Sequence, residues 1–202
     1  KAFGRYRLLQ ELGHGGMGVV WKAWDTHLRR HVALKQIRVR DVLEGHALER
    51  FLREIQLAAR LQHPGIVRVL DAGRRDGLPY FTTELIAGKT LEDLVNSMRL
   101  AVPQAVRCVK AIGEALDYAH RQGVIHRDIK PGNVLIDTDG RPHLMDFGLA
   151  KEIVEAHGGD GRRAVTTNTC AIIGTPDYMS PEQAVGPSHD LGPATDQFSL
   201  GV

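Results

Sequence analysis

Two periodicities share this chain and change places near residue 87, and this switch limits the available folds more than any other feature. Before it, apolar residues alternate in short runs broken by glycine and charged clusters; beyond it they recur at helical spacing. Strands come first and helices follow, so the pattern predicts an α+β architecture: a small antiparallel sheet and a mainly helical remainder. The same switch sets a boundary between residues 1–86 and 87–202.

Strand signals run over residues 6–12, 19–24 and 31–37, turning at the glycine cluster 13–18 and the polar stretch 25–30, as an antiparallel meander. Leu48, Phe51, Leu52, Ile55 and Ala58 share one helical face and predict a helix over 47–61, with Pro64 just past its end. Two further strands are expected at 66–70 and 80–86 around a turn at 73–79. In the second part a short helix starts at 91–94. A longer one, beginning near Pro103, is expected to bury Val106, Val109, Ile112, Leu116 and Ala119 and to close at Gly123. Strands at 134–136 and 143–145 flank the hairpin turn Asp137-Thr138-Asp139-Gly140. Residues 151–169 lack an apolar period and read as a mobile loop.

Composition removes several function classes. The 26 basic and 24 acidic side chains give a formal net charge of +2, too little to argue for nucleic acid. Cys108 and Cys170 make neither a disulfide framework nor a metal site, which suits a reducing, cytoplasmic setting. No run approaches the roughly 18 apolar residues that a membrane helix needs. The chain begins without Met and stops inside an apolar run, so it reads as a segment of something longer, in which a membrane anchor has room elsewhere.

The chemistry-bearing residues fall in four groups. Gly13-His14-Gly15-Gly16-Met17-Gly18-Val19-Val20 is a G-x-G-x-x-G-x-V turn, whose Gly13, Gly15 and Gly18 let backbone N–H groups approach phosphate oxygens. Strand signals continue after Gly18, which argues against a dinucleotide-binding strand-to-helix turn. Ala33 and Lys35 share a strand face; with Val20 as a roof, Ala33 leaves room for a flat base while Lys35 reaches phosphates, held by Glu54 from the helix. His126-Arg127-Asp128-Ile129-Lys130-Pro131-Gly132-Asn133 places a carboxylate, an ammonium and a carboxamide in one turn. One hairpin brings Asn133 toward Asp146 of Asp146-Phe147-Gly148, and both are oxygen ligands suited to Mg²⁺.

In this order and spacing these groups, with Ser180-Pro181-Glu182, resemble a protein kinase from about Arg5 to the end of the chain. The resemblance implies a bilobal fold, with an incomplete C-lobe here, and an ATP- and Mg²⁺-dependent enzyme acting on protein Ser and Thr hydroxyls. Asp128 would take the hydroxyl proton and Lys130 would neutralise the γ-phosphate. Asn133 and Asp146 would hold Mg²⁺, and Lys35, fixed by Glu54, would hold the α- and β-phosphates. Thr83 stands at the gatekeeper position, the backbone of Glu84 and Ile86 faces the adenine edge, and Leu135 lies beneath its ring. Lys130 and Thr175 are similar to the Ser/Thr class, and Gly16-Met17-Gly18 with Ser180-Pro181-Glu182-Gln183-Ala184 to its bacterial, eukaryotic-like members. Thr167 and Thr169 match that group's activation-loop threonines, for which Arg127 is the implied phosphate partner, with self-association for trans-autophosphorylation. Two departures stand out: Ser180 replaces an alanine, and the chain ends soon after Asp196, which resembles the aspartate that braces the catalytic loop. The alternatives are a nucleotide-binding pseudokinase or signalling scaffold and a small-molecule phosphotransferase.

Overall fold

The computed structural model describes residues 1–15, 18–37, 46–97, 100–147, 176–185 and 191–202. A six-stranded sheet takes up the first part, with strands Ala2–Phe3 (β1), Tyr6–Gly15 (β2), Gly18–Asp25 (β3), Arg30–Ile37 (β4), Val69–Arg75 (β5) and Leu78–Glu84 (β6). Its order is β1-β2-β3-β4-β6-β5, so β2 to β4 form the expected meander, and the β5–β6 hairpin joins through β6. All its pairings are antiparallel.

Alternation along β4 divides the core. Val32 and Leu34 join Phe3, Tyr6, Leu8 and Ala23 on one face, whereas Ile37 on the other belongs with Phe51 and Ile55 of helix α1 (His46–Ala58). That second cluster continues without a break into the lower part: Phe81, Cys108, Ile112, Leu116, Leu144 and Phe147 all belong to it.

The lower part begins with Gly88–Thr90 (β7), Leu91–Ser97 (α2) and Val102–Arg121 (α3). Thr90 caps α2 reciprocally: its hydroxyl accepts from Asp93 N–H at 3.0 Å, and its own N–H donates to Asp93 Oδ2 at 3.3 Å. α3 ends in a Schellman pattern, Val124 N–H to Ala119 O at 3.0 Å and Gly123 N–H to His120 O at 2.9 Å, with Gly123 at φ +75°. Strands Val134–Asp137 (β8) and Pro142–Leu144 (β9) complete a three-stranded sheet, order β7-β8-β9. Helices Pro181–Val185 (α4) and Pro193–Gly201 (α5) follow. The two sheets are tied where Val67 N–H donates to Leu144 O and Leu144 N–H to Gly65 O, both at 2.8 Å. A curled antiparallel sheet set against helices is the α+β arrangement expected.

Three expectations are corrected. The strands drawn at 66–70 and 80–86 lie at Val69–Arg75 and Leu78–Glu84, and the broad turn between them shrinks to Asp76 and Gly77. Charged residues hid β5, yet its Asp71 is satisfied within the sheet by the Tyr6 hydroxyl at 2.6 Å and Arg5 at 3.2 Å. Burial, reinforced by the hydrogen bond to Asp71, pushes the Tyr6 hydroxyl's pKa far up, so it stays a donor. Third, α3 buries Cys108, Ile112, Ala115, Leu116 and Ala119, while Val106 and Val109 are 60% and 46% exposed. Helical spacing marks both apolar stripes; only packing decides which is covered.

Gly18 shows how tightly the sheet closes. A Cβ there would lie 1.9 Å from the Gln36 carbonyl oxygen of β4, and its φ of +153° is unfavourable to side chains. Gly18→Ala is expected to destabilise by about 3 kcal/mol, whereas Gly13, with nothing within 4 Å of its Cβ position, should tolerate alanine within about 0.5 kcal/mol. Chemical denaturation of the two variants checks the contrast.

Candidate active site

β2, β3, β4 and β6 curl over a cavity of about 300 Å³ whose floor comes from β8 and the residues after β9. Gly13, Val20, Ala33, Lys35, Thr83, Glu84, Ile86, Leu135 and Asp146 all line it. The register explains the grouping, because Val20 pairs with Lys35, and Ala33 with Thr83. Shifts in the β2–β3 pairing between Glu11 and Gly13 bend β2 over the opening. Gly15 and Gly18 belong to the β2–β3 turn but not to the lining. Leu12, Val67, Phe81, Leu85, Thr90 and Met145 also line it and were not singled out from sequence; the alternation of Phe81 with Thr83 on one strand was the available signal.

At the inner end, Lys35 Nζ lies 2.6 Å from Asp146 Oδ2. Glu54 stands half-buried on α1, as its helical position implies. A carboxylate within reach of the ammonium comes from the loop after β9.

The turn 126–133 is knitted internally. Asn133 donates through Nδ2 to both the carbonyl and Oδ2 of Asp128, each at 2.7 Å. Facing two acceptors, that end of the carboxamide must be nitrogen, so Oδ1 is left as an acceptor suited to a cation. Lys130 Nζ lies 2.9 Å from Asp128 Oδ2, and Met145 N–H donates to Asn133 O at 3.0 Å, which joins this turn to the segment carrying Asp146.

Beneath the turn, Asp196 of α5 is fully buried and receives His126 N–H at 2.8 Å, Arg127 N–H at 2.7 Å and His120 Nε2 at 2.7 Å. His126 is also buried; its Nε2 lies 3.0 Å from Met145 O, and its Nδ1 accepts Asp128 N–H at 3.3 Å. One nitrogen faces an acceptor and the other a donor, which selects the neutral Nε2–H tautomer; burial, which lowers the ring's pKa, favours the same state. Arg127 and Asp146 adopt φ of +65° and +60°, left-handed conformations that cost on the order of 1–3 kcal/mol each in non-glycine residues and persist only where neighbours over-determine them.

The donor set fits a phosphorylated nucleotide and a hard cation. An apolar slot holds the base-sized space with an ammonium and a carboxylate at one end, and Asn133, whose Oδ1 remains an acceptor, is joined to the Asp146 segment through Met145 N–H. No cluster of three or more His, Cys, Asp or Glu able to bind a metal by itself exists among the described residues. A cation here would take two protein ligands and complete its shell from phosphate and water, as Mg²⁺ does. Gly148, Thr167, Thr169 and Cys170 lie outside the described residues.

Residues 6–202 match the family model described as the protein kinase domain. The chain is 42% identical over 203 residues to a probable serine/threonine-protein kinase of Streptomyces coelicolor, covering 98% of this chain and 29% of that protein. It is 39% identical to serine/threonine-protein kinase PknA of Mycobacterium tuberculosis, covering 98% of this chain and 45% of PknA. It therefore spans less than half the length of these relatives. The crystal structure of the Mycobacterium tuberculosis PknI kinase domain superposes with a TM-score of 0.76 at 28% identity, over 99% of this chain and 72% of that one. With the cavity, the Lys35–Asp146 pair and the 126–133 turn arranged as described, this match over nearly the whole chain places it in the protein kinase family.

Proposed function

We propose that the protein carrying this chain transfers the γ-phosphoryl group of ATP to serine and threonine hydroxyls of other proteins, residues 1–86 covering the nucleotide and 87–202 presenting the catalytic turn. The observation that carries this reading is the Lys35–Asp146 pair at the inner end of the cavity, tied through the Met145 N–H to Asn133 O bond to the hydrogen-bonded set Asp128, Lys130 and Asn133.

Asp128 takes the proton of the attacking hydroxyl, and Lys130, beside it, meets the charge of the transferred group. Lys35 binds phosphate oxygens, while Asn133 Oδ1 and Asp146 would hold Mg²⁺, which neutralises phosphate charge when bound. The backbone of Glu84 and Ile86 and the side chains of Val20, Ala33 and Leu135 hold the base, with Thr83 limiting the depth of the slot. Most of the rate gain is positioning, since this transfer asks for little covalent chemistry from the protein.

Thr167 and Thr169 are proposed phosphorylation sites read by Arg127, with self-association supplying the phosphate in trans and a cytoplasmic location supplying ATP. No described helix is long and apolar enough to cross a membrane.

The test is transfer of labelled phosphate from Mg²⁺-ATP to protein by the full-length chain, with phosphoserine or phosphothreonine recovered and phosphate mapped to Thr167 and Thr169. Mg²⁺-ATP at 100 times its Kd is expected to stabilise the fold by about 2.7 kcal/mol. That stabilisation without any transfer would favour a scaffold instead, and turnover only on a sugar or antibiotic would favour a small-molecule enzyme.

A further inference from the structure

Gln183, on α4, takes no part in the roles assigned above, yet its carboxamide joins two segments that sequence separates by more than fifty residues. Its Oε1 accepts Ser180 N–H at 3.1 Å, and its own N–H donates to Ser180 Oγ at 3.4 Å, a reciprocal cap on the start of α4. With Oε1 committed to a donor, Nε2 must point the other way, and it donates to Arg127 O at 2.7 Å.

That carbonyl belongs to the peptide unit leading into Asp128. The opposite edge of the same unit, Asp128 N–H, is held by His126 Nδ1 at 3.3 Å. Asp196 Oδ1 fixes Arg127 N–H at 2.7 Å. The left-handed Arg127 is thus gripped at its nitrogen from α5 and at its oxygen from α4. The direction in which the Asp128 carboxylate leaves the backbone follows from the plane of that peptide.

We propose that Gln183 is a positioning residue for phosphoryl transfer: by holding the Arg127–Asp128 peptide plane it sets the line along which Asp128 meets the incoming hydroxyl. This rests on the kinase reading above. The residue type matters, because a glutamate would still accept Ser180 N–H but would turn an oxygen toward the Arg127 carbonyl. Gln183→Glu therefore keeps the cap and removes the clamp, while Gln183→Met removes both at similar volume.

The experiment compares full-length wild type, Gln183→Glu and Gln183→Met for kcat, KM for Mg²⁺-ATP, unfolding midpoint and amide hydrogen exchange of residues 126–133. Gln183→Glu is expected to lose about 10–100-fold in kcat with KM and midpoint near wild type. Exchange at residues 126–128 should rise about five- to tenfold, the yield of one lost hydrogen bond. Gln183→Met should show the same kcat loss and a lowered midpoint as well. A Gln183→Glu enzyme with wild-type kcat, or a kcat loss fully accounted for by a smaller folded fraction, overturns the proposal. If the wild type transfers no phosphate, the kinase reading has failed; hydrogen exchange then decides on the clamp alone, and unchanged protection overturns it.

Discussion

Asp128→Asn in the full-length chain is expected to lower γ-phosphate transfer by about 10²–10⁴-fold, the range typical for loss of a general base. The substitution is nearly isosteric, and an amide oxygen can still accept from Asn133 Nδ2, now at 2.7 Å. What disappears is the negative charge that holds Lys130 Nζ at 2.9 Å and, in the proposed mechanism, takes the hydroxyl proton. Because Asp128 does not line the nucleotide cavity, KM for Mg²⁺-ATP and the stabilisation by nucleotide should stay close to wild type. Initial rates with labelled ATP, beside a thermal shift, separate the two effects. Transfer at the wild-type rate would remove Asp128 from its proposed role.

Asp196→Ala is expected to be the most damaging substitution for the fold, by about 3–5 kcal/mol. Its carboxylate is fully buried, and it satisfies two backbone N–H groups and one imidazole nitrogen. Removing it strands those donors where water cannot reach, at about 1–3 kcal/mol for each group left unsatisfied, and the released cost of burying the charge offsets part of the sum. Against a typical domain stability of about 5–15 kcal/mol this is a large fraction. Asparagine should rescue little, since its NH₂ would face a donor on one side. Urea unfolding of the three proteins measures this, and an alanine variant within about 1 kcal/mol of wild type would show that the 126–127 backbone finds other partners.

Strand alternation located part of the cavity, since Val20, Ala33 and Lys35 converge through pairing register, while Thr83, Glu84, Ile86 and Leu135 were placed by the resemblance. It did not point to Asp146 as a partner of Lys35. Helical spacing puts Glu54 at the edge of a buried stripe, but the approach of Asp146 to 2.6 Å is a contact spanning 111 positions, and no local pattern encodes that. For the same reason α3 gave up its apolar residues but not its buried face, with Val106 and Val109 left in solvent. Gln183 carried an unread signal, since Ser180-x-x-Gln183 is the spacing of a reciprocal helix cap. Its second bond, to Arg127, had none. His120 likewise joins Asp196 across 76 positions with nothing nearby in sequence to mark it.

The grip of Asp196 on residues 126 and 127 also has a meaning in time. The two bonds span 70 and 69 positions, so the backbone shape of the catalytic turn is specified by a residue that leaves the ribosome well after it. At about 5–20 residues per second, the turn waits roughly 4–14 s for its anchor to be synthesised. The strand meander of the first part, by contrast, is held by contacts between neighbours in sequence and can form as it emerges. A nascent chain therefore passes through an interval in which its first sheet can be folded while the backbone of the 126–133 turn still lacks its anchor.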